Sequence, residues 1–182
     1  MTLAFFILSA LDLLGAGADT FPESERARVT DWILRCQHPN GGFCGSPNHK
    51  YPDVYYMDVG NGTEVMDPAN LPATCFAILG LSVVGTLDKI ERLECLRWLR
   101  TLQREDGSFG ELVTQNGTIE GGRDMRYCYC ATAIRWILRG DDELDESLRG
   151  IDIDVEKLVD HIRSGQVSYW PFNFFFEANS SI

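Results

Sequence analysis

The sequence has few basic residues and no long apolar run. It has 16 Lys and Arg residues against 27 Asp and Glu, which gives a net charge of −11. Because nucleic-acid binding requires clustered positive charge, this balance argues against a nucleic-acid partner. No stretch reaches the roughly 18 uninterrupted apolar residues that indicate a membrane-spanning helix, so we predict no membrane span.

The sequence also has no C-x-x-C pair, although it contains six cysteines. Zinc-binding cysteines usually come in pairs at turn spacing, so we do not expect zinc to be held by these cysteines alone. Four of them fall within helix-like runs, where a free cysteine behaves as a small buried hydrophobe. This pattern predicts reduced thiols and a cytoplasmic protein. His38, His49 and His161 are scattered, and we expect them at exposed positions. The four helical cysteines are Cys75, Cys95, Cys128 and Cys130.

The first apolar segment allows two interpretations. Residues 3–11, followed by Ala16-Gly-Ala18, resemble the core of a signal peptide with a small-residue cleavage site. However, no Lys or Arg precedes the apolar run, and Asp12 interrupts it. The spacing of the apolar residues instead favours a buried helix of a repeat protein.

A repeated motif is the strongest positive feature of the chain. The pattern Gln-x-x-x-Gly-x-Phe runs from Gln37 to Phe43 and again from Gln103 to Phe109. Its glycine, at residues 41 and 107, permits a left-handed turn near the end of a helix. Its phenylalanine is expected to fold back into the interior.

Two helix-like segments precede each copy of the motif, the first apolar on nearly all sides and the second amphipathic. The glutamines at 37, 103 and 166 are separated by 66 and 63 residues. Such repeated helical hairpins predict an all-α fold in which each unit buries its face on its neighbours, as a solenoid or a closed ring. The segment pairs are residues 3–14 with 24–37, residues 73–84 with 90–102, and a weaker third pair, residues 127–138 with 155–162.

Local signals place the helix boundaries and one long loop. Ser24 and Asp88 are expected to cap the second and fourth helices, and Pro72 is expected to lie at the start of the third. Residues 38–68 contain four of the seven prolines, which predicts a long irregular loop of the kind that often has a functional role.

Asp124 and Arg126 are unusual because they open an otherwise apolar inner helix. The amino end of a helix favours anions, and an arginine there can bind a carboxylate through two hydrogen bonds. These residues therefore predict a substrate carboxylate site. The alternative is an Asp-Arg pair that only caps the helix.

The run Asp-Met-Arg-Tyr-Cys-Tyr-Cys-Ala-Thr-Ala-Ile at 124–134 follows Leu-Gln-Arg-Glu-Asp-Gly-Ser-Phe at 102–109. Together with residues 2–14, these segments resemble the β subunit of protein prenyltransferases, in particular type I geranylgeranyltransferase. The resemblance covers most of residues 2–166. It implies an α-α toroid and a zinc-dependent heterodimer with an α subunit. It also implies transfer of a geranylgeranyl group from geranylgeranyl diphosphate to a cysteine near the C-terminus of target proteins such as small GTPases.

The resemblance also implies roles for individual residues. Arg126 matches an arginine that contacts the peptide's terminal carboxylate through water. Thr2 and Phe6 match residues that line the cavity for peptide and lipid, and a threonine in place of the bulky tryptophan of farnesyltransferase leaves room for a longer isoprenoid. Asn70 lies where many relatives have a histidine near the peptide carboxylate. Gly122 lies where they have a glutamate.

The family's zinc ligands and diphosphate-binding residues are expected beyond this chain, so no catalytic or metal-binding residue is assigned within it. Residues 1–166 are therefore predicted to form an incomplete, catalytically partial toroid. Residues 167–182 lose the helical period, and Val167-Ser168 could be encoded by GTAAGT, the usual start of an intron. We interpret this tail as aberrant, either translated intron or a truncated reading frame.

Two alternatives of other kinds remain. The chain could act as a non-catalytic helical-repeat binding module. It could also belong to another toroid enzyme, such as farnesyltransferase, Rab geranylgeranyltransferase or a terpene cyclase. The D-x-D-D motif of protonating cyclases is absent, and the small Thr2 favours the longer lipid.

Overall fold

The computed structural model describes residues 1–48, 50–52, 67–114, 116–139, 148 and 150–165. Within these residues the chain forms six α helices and one short antiparallel ribbon. The fold is therefore almost entirely helical, as predicted, apart from the two short strands of this ribbon. The helices are α1 (Thr2–Leu13), α2 (Glu23–Leu34), α3 (Leu71–Val84), α4 (Arg92–Thr101), α5 (Met125–Ile137) and α6 (Val155–Ser164), and the strands are β1 (Leu112–Val113) and β2 (Ile119–Glu120).

The helices form two rows. Helix α3 packs against α1 on one side and α5 on the other, so these three helices make an inner row. Helix α2 packs on α3, while α4 and α6 pack on α5, which places these helices outside. Nine of the 14 residues of α3 are buried, because α1, α2 and α5 all pack against it. This confirms the predicted alternation of inner and outer helices.

The helix starts agree only partly with the sequence signals. Helix α3 has Pro72 in its first turn, as predicted, and the Asn70 side chain accepts a hydrogen bond from the Ala73 N–H. The caps predicted at Ser24 and Asp88 are wrong. Helix α2 begins one residue before Ser24, after Pro22, and Asp88 lies in a separate short 3-10 turn before α4. In both cases the helix begins without a side-chain cap, because packing of its apolar face sets the boundary.

The two copies of the repeated motif adopt the same closed turn. Gln37 pairs with Phe43, and Gln103 pairs with Phe109, each as an antiparallel bridge. Both phenylalanines are completely buried, as predicted. The motif glycines are left-handed, with φ of +91° at residue 41 and +81° at residue 107. They lie inside the turn between the bridged residues rather than at the end of the helix, which corrects their expected position.

The glutamine of each motif holds the start of the next outer helix. The Gln103 amide donates to the Asp154 carbonyl at 2.8 Å and accepts from the Asp154 N–H at 2.7 Å, and Asp154 is the residue that caps α6. In the first copy, Gln37 accepts from the N–H of Glu91, which precedes α4, at 3.5 Å. The sequence indicated only that this glutamine closes a helix. Its contact with the following unit explains why the motif recurs with the repeat.

We predict that Gln103→Glu lowers the free energy of unfolding by about 1 kcal/mol. The carboxylate keeps the acceptor for the Asp154 N–H but loses the donor to the Asp154 carbonyl. Urea unfolding followed by circular dichroism measures the change. Asn48→Asp adds the same charge at an exposed position and is the matched control. Equal midpoints for the two variants would contradict the proposed role of Gln103.

Arg104 joins the second motif to the ribbon formed by β1 and β2. Its guanidinium donates to the carbonyls of Gly121 at 2.7 Å and Phe109 at 3.0 Å, and to Ile119 at 3.3 Å. The single Arg104 guanidinium therefore provides hydrogen-bond donors for these three carbonyls. This network fixes the chain that leads into α5.

The cysteine and histidine predictions have mixed outcomes. All six cysteines are free and buried, which confirms the interpretation of the helical ones as small apolar residues. The exposed position expected for His38 is wrong, since this residue is only 8% exposed. Its Nδ1 accepts from the Asn40 N–H at 3.1 Å, and burial lowers its pKa. His161 is half-buried on α6. His49, Gln166 and the predicted tail 167–182 lie outside the described residues.

Candidate functional site

The amino ends of the three inner helices meet at one end of the structure. The Met1 ammonium donates to the Gly45 carbonyl at 2.6 Å, and the Asn70 N–H donates to the Phe43 carbonyl at 3.0 Å. Both acceptors belong to the segment that leaves the first motif. The starts of α1 and α3 are therefore held against the same short stretch of chain.

Glu111 connects the start of α3 to the start of α5. Its carbonyl accepts from the Leu71 N–H at 2.8 Å, and its carboxylate accepts from the Tyr127 hydroxyl at 3.1 Å. Burial and this hydrogen bond raise the pKa of Tyr127. The sequence-predicted residues Thr2, Asn70 and Asp124 thus lie at the starts of three neighbouring helices on one edge of the inner row.

Asp124 and Arg126 form a local pair at the start of α5. The Asp124 carboxylate accepts from the Arg126 backbone N–H at 2.8 Å, which caps the helix. It also accepts from the Arg126 guanidinium through two bonds, at 2.8 and 3.0 Å. The Arg126 side chain is 88% exposed. The capping interpretation therefore describes the observed contacts, and the exposed guanidinium still has donors facing outward.

We predict that Arg126→Ala raises the pKa of Asp124. Hydrogen bonds from the Arg126 side chain and backbone lower this pKa from 3.8 to about 2. The pair therefore favours the folded state above pH 3.8, and this contribution is lost as the pH falls through about 2. NMR titration of the carboxyl carbon measures the shift.

Arg123→Ala is the matched control, because Arg123 bonds Asp106 at 2.6 Å. Hydrogen bonds from Ser108 and Arg123 lower the pKa of Asp106. The control should raise the pKa of Asp106 and leave that of Asp124 unchanged. An Asp124 pKa that does not respond to Arg126→Ala would show that the paired geometry does not persist in solution.

Asn70 and Gly122 are the two positions at which the sequence is expected to depart from the family pattern. The Asn70 side chain is buried, and its oxygen caps α3 by accepting from the Ala73 N–H at 2.9 Å. Its amide oxygen is thus already used within the fold. Gly122 is exposed, and a Cβ built on it meets nothing within 4 Å. A larger side chain would fit there without steric conflict.

Thr2 and Phe6 lie on α1, beside an aromatic group shared with α3. The rings of Phe5, Phe6 and Phe76 lie 5.4 to 5.7 Å apart, centroid to centroid, which is a normal distance for aromatic contacts. Phe6 is 55% exposed, and Thr2 is also exposed. This group presents apolar surface at the same end of the inner row as Arg126.

Sequence reasoning did not assign the large exposed apolar residues of α5. Met125, Tyr129 and Trp136 are exposed and follow one another at helical spacing on one face of an inner helix. Exposed large apolar surface in a row of this kind is typical of a ligand or partner surface. Their spacing of four and seven residues places them on one face of a helix. This spacing could have identified them, because the segment was already predicted to be an inner helix.

Neither a metal centre nor a membrane-spanning helix is present in the part of the chain that the structure describes. No three His, Cys, Asp or Glu side chains are close enough together there to hold a metal ion. The described residues therefore do not fit the zinc site that the family resemblance implies. None of the described helices has the length and apolar character needed to cross a bilayer.

Comparisons with known proteins place these features in a family. Residues 1–169 match the family described as the prenyltransferase alpha-alpha toroid domain. The chain is 31% identical over 158 residues to the geranylgeranyl transferase type-1 subunit beta of Arabidopsis thaliana, covering 80% of this chain and 38% of that protein. It is 27% identical over 146 residues to the protein farnesyltransferase subunit beta of Pisum sativum, covering 78% and 28%.

A solved structure supports the same fold. Candida albicans protein geranylgeranyltransferase-I, complexed with GGPP, matches with a TM-score of 0.66 at 22% identity, covering 89% of this chain and 43% of that one. At this identity the match shows the fold alone. The chain spans less than half the length of the proteins it matches. The family match over residues 1–169 and the two rows of helices show that this chain belongs to the prenyltransferase α-α toroid family.

Proposed function

We propose that this chain is part of the β subunit of a protein geranylgeranyltransferase. In this proposal the complete enzyme pairs the β subunit with an α subunit in the cytoplasm. It transfers a geranylgeranyl group from geranylgeranyl diphosphate to a cysteine near the C-terminus of proteins such as small GTPases. Sequence similarity to a type-1 β subunit over 80% of the chain supports this function.

The observation that carries the proposal is the pairing of an apolar surface with an exposed cation. The aromatic group of Phe5, Phe6 and Phe76 offers the apolar contact that an isoprenoid chain requires. Arg126 offers guanidinium donors at the same end of the inner row, suited to a peptide's terminal carboxylate. In this proposal the isoprenoid binds at α1 and α3, and the peptide's carboxylate binds at the start of α5.

Zinc enters the proposal only through the family, where it binds and activates the acceptor thiolate. The described residues hold no grouped ligands for it. In the proposed enzyme, zinc is therefore bound outside the described residues. What the described residues contribute is the lipid surface at Phe6 and the carboxylate contact at Arg126.

Binding of fluorescent isoprenoid diphosphates to the β subunit in its complex with the α subunit tests the lipid surface. Phe6→Ala should weaken binding of the geranylgeranyl analogue about tenfold, because it removes a partly exposed aromatic ring. Leu13→Ala is the control, since Leu13 is 86% exposed at the other end of α1. Thr2→Trp should lower affinity for the geranylgeranyl analogue more than for the farnesyl analogue, because the indole fills part of the cavity.

The same complex tests the carboxylate contact. Arg126→Ala should weaken binding of a cysteine-containing peptide with a free C-terminus, and it should have no effect on the C-terminally amidated peptide. A complex in which neither Phe6 nor Arg126 variants alter binding would overturn the proposal. A stable complex with the α subunit but no transfer activity would support the alternative of a binding module.

A further inference from the structure

Two buried cysteines face each other across the turn of the first motif. The Cys44 N–H donates to the Cys36 carbonyl at 2.8 Å, directly beside the bridge between Gln37 and Phe43. Cys36 and Cys44 are therefore opposite each other in antiparallel register, with their side chains on the same face. Opposed residues that share such a bond have Cα atoms about 5.5 Å apart, within the range of about 4.4–6.8 Å that a disulfide needs.

The two thiols are close enough for each to shift the pKa of the other. The Cys36 thiol donates to the Trp32 carbonyl and the Cys44 thiol donates to the Ser46 carbonyl, each at 3.6 Å. The exposed fractions of Cys36 and Cys44 are 0% and 1%. Cys95 is also buried, but its sulfur accepts from the Gln37 amide at 3.5 Å.

The second copy of the motif shows that the turn folds without a thiol pair. The equivalent backbone bond joins Gly110 N–H to the Leu102 carbonyl at 3.0 Å. A side chain at residue 110 would overlap Ile119. The same turn therefore forms with leucine and glycine in place of the two cysteines.

We propose that Cys36 and Cys44 are a redox modification site that forms a reversible intramolecular disulfide when the protein meets a hydroperoxide. Cys44 is the first thiol to react. It is followed by the half-buried Gly45 and Ser46 and the exposed Pro47, so local opening of this short segment brings it to solvent. Cys36, at the end of the α2 segment, is the resolving thiol.

The reaction balances with one peroxide and two thiols. The Cys44 thiolate attacks the peroxide, so an S–O bond forms, the O–O bond breaks and one molecule of water or alcohol leaves. The Cys36 sulfur then attacks the Cys44 sulfenic acid, so the S–S bond forms and a second water leaves. The neighbouring Cys36 thiol lowers the pKa of Cys44, which favours the thiolate at that position.

The disulfide would lock the turn that contacts α4. It would close the loop containing Gly41 and Gln37, and Gln37 bonds the residue that precedes α4. A crosslink that restricts the unfolded chain over a short loop should raise the Tm by about 5 °C. A thiol reductant should reverse the shift.

Mass spectrometry of the full chain tests the proposal directly. Trypsin cuts after Arg35 and Lys50, so the peptide of residues 36–50 contains Cys36 and Cys44 and no other cysteine. After hydrogen peroxide treatment and alkylation, this peptide should lack two hydrogen atoms and carry no alkyl group. Dithiothreitol given before alkylation should restore two alkylated cysteines. A peptide that stays fully alkylated after treatment would overturn the proposal.

Single variants check the assigned roles. With Cys36→Ser, peroxide should leave Cys44 as a sulfenic acid that a cyclic diketone probe captures, whereas Cys95→Ser should not change the result for peptide 36–50. Cys75 on α3 and Cys130 on α5 form another pair of neighbouring thiols, and each shifts the pKa of the other. If peroxide links the peptides of residues 51–89 and 127–135 and leaves 36–50 reduced, the proposal is wrong. The wild-type peptide mass decides the outcome even if a serine variant fails to fold.

Discussion

Phe109→Ala should lower the free energy of unfolding by about 4 kcal/mol, since truncating a fully buried phenylalanine leaves a cavity that the core cannot fill. The ring is completely buried within the main apolar core. Domains are typically stable by only about 5–15 kcal/mol, so the loss would remove roughly a quarter or more of the stability. Urea unfolding followed by circular dichroism measures the change.

Phe6→Ala is the matched control for this substitution. It removes the same side chain at a position that is 55% exposed. We expect it to cost less than about 1 kcal/mol, because little apolar surface returns to water. Similar losses in the two variants would show that the phenylalanine of the motif does not anchor the core. Phe43→Ala should behave like Phe109→Ala, because Phe43 occupies the same position in the first unit.

Gly107→Ala should be destabilising by about 3 kcal/mol or more, because two penalties act together. The residue has a φ of +81°, which an L side chain adopts only with strain. A Cβ there would also overlap the carbonyl of Lys157 in α6. The chain could relieve the overlap only by moving α6 away from the motif, so the contact between the second and third units should weaken. The urea midpoint measures the loss.

Gly117→Ala separates these two penalties. Gly117 has the same φ of +81°, but a Cβ built on it meets nothing within 4 Å. Its substitution should cost only the backbone strain, about 1–2 kcal/mol. The difference between the two variants therefore measures the steric requirement for glycine between units. If both variants have the same stability, close approach to α6 is not the reason for glycine in the motif.

Together these variants describe how one short motif joins the units of the repeat. In the second copy the phenylalanine fills the core, the glycine lets the turn approach α6, and the Gln103 amide bonds the backbone of the α6 cap residue. The phenylalanine contacts the core, while the glycine and the glutamine contact α6 of the next unit. The spacing between glutamine, glycine and phenylalanine therefore reflects contacts between units as well as the turn itself.

Much of the fold could be predicted from sequence because its signals are local. Apolar periodicity placed six helices, and Pro72 and Asp124 marked two helix starts correctly. The caps expected at Ser24 and Asp88 were wrong because a suitable side chain near a helix start does not decide where packing begins the helix. His38 was placed at the surface because the sequence does not show which loop residues a neighbouring unit covers.

The candidate site could be predicted less completely. The charged opening of α5 selected Asp124 and Arg126 as substrate-binding residues, and the resemblance added Thr2, Phe6 and Asn70. This assignment stays a prediction. The structure locates them at the starts of inner helices. It also shows that Asn70 is used as a helix cap and that Asp124 binds Arg126. Whether a side chain is used in this way depends on which hydrogen-bonding groups lie within its reach. A motif match does not give those distances.

By itself, the sequence determined the helical repeat, the turn chemistry of its motif and the membership of the family, because periodicity, glycine positions and motif spacing are properties of the chain order. Only the tertiary structure decided which distant groups meet. Gln103 bonds Asp154, and Glu111 joins the starts of α3 and α5. These pairings depend on how helices pack across units, and the free energy of that packing comes from shape and burial that no short segment of sequence contains.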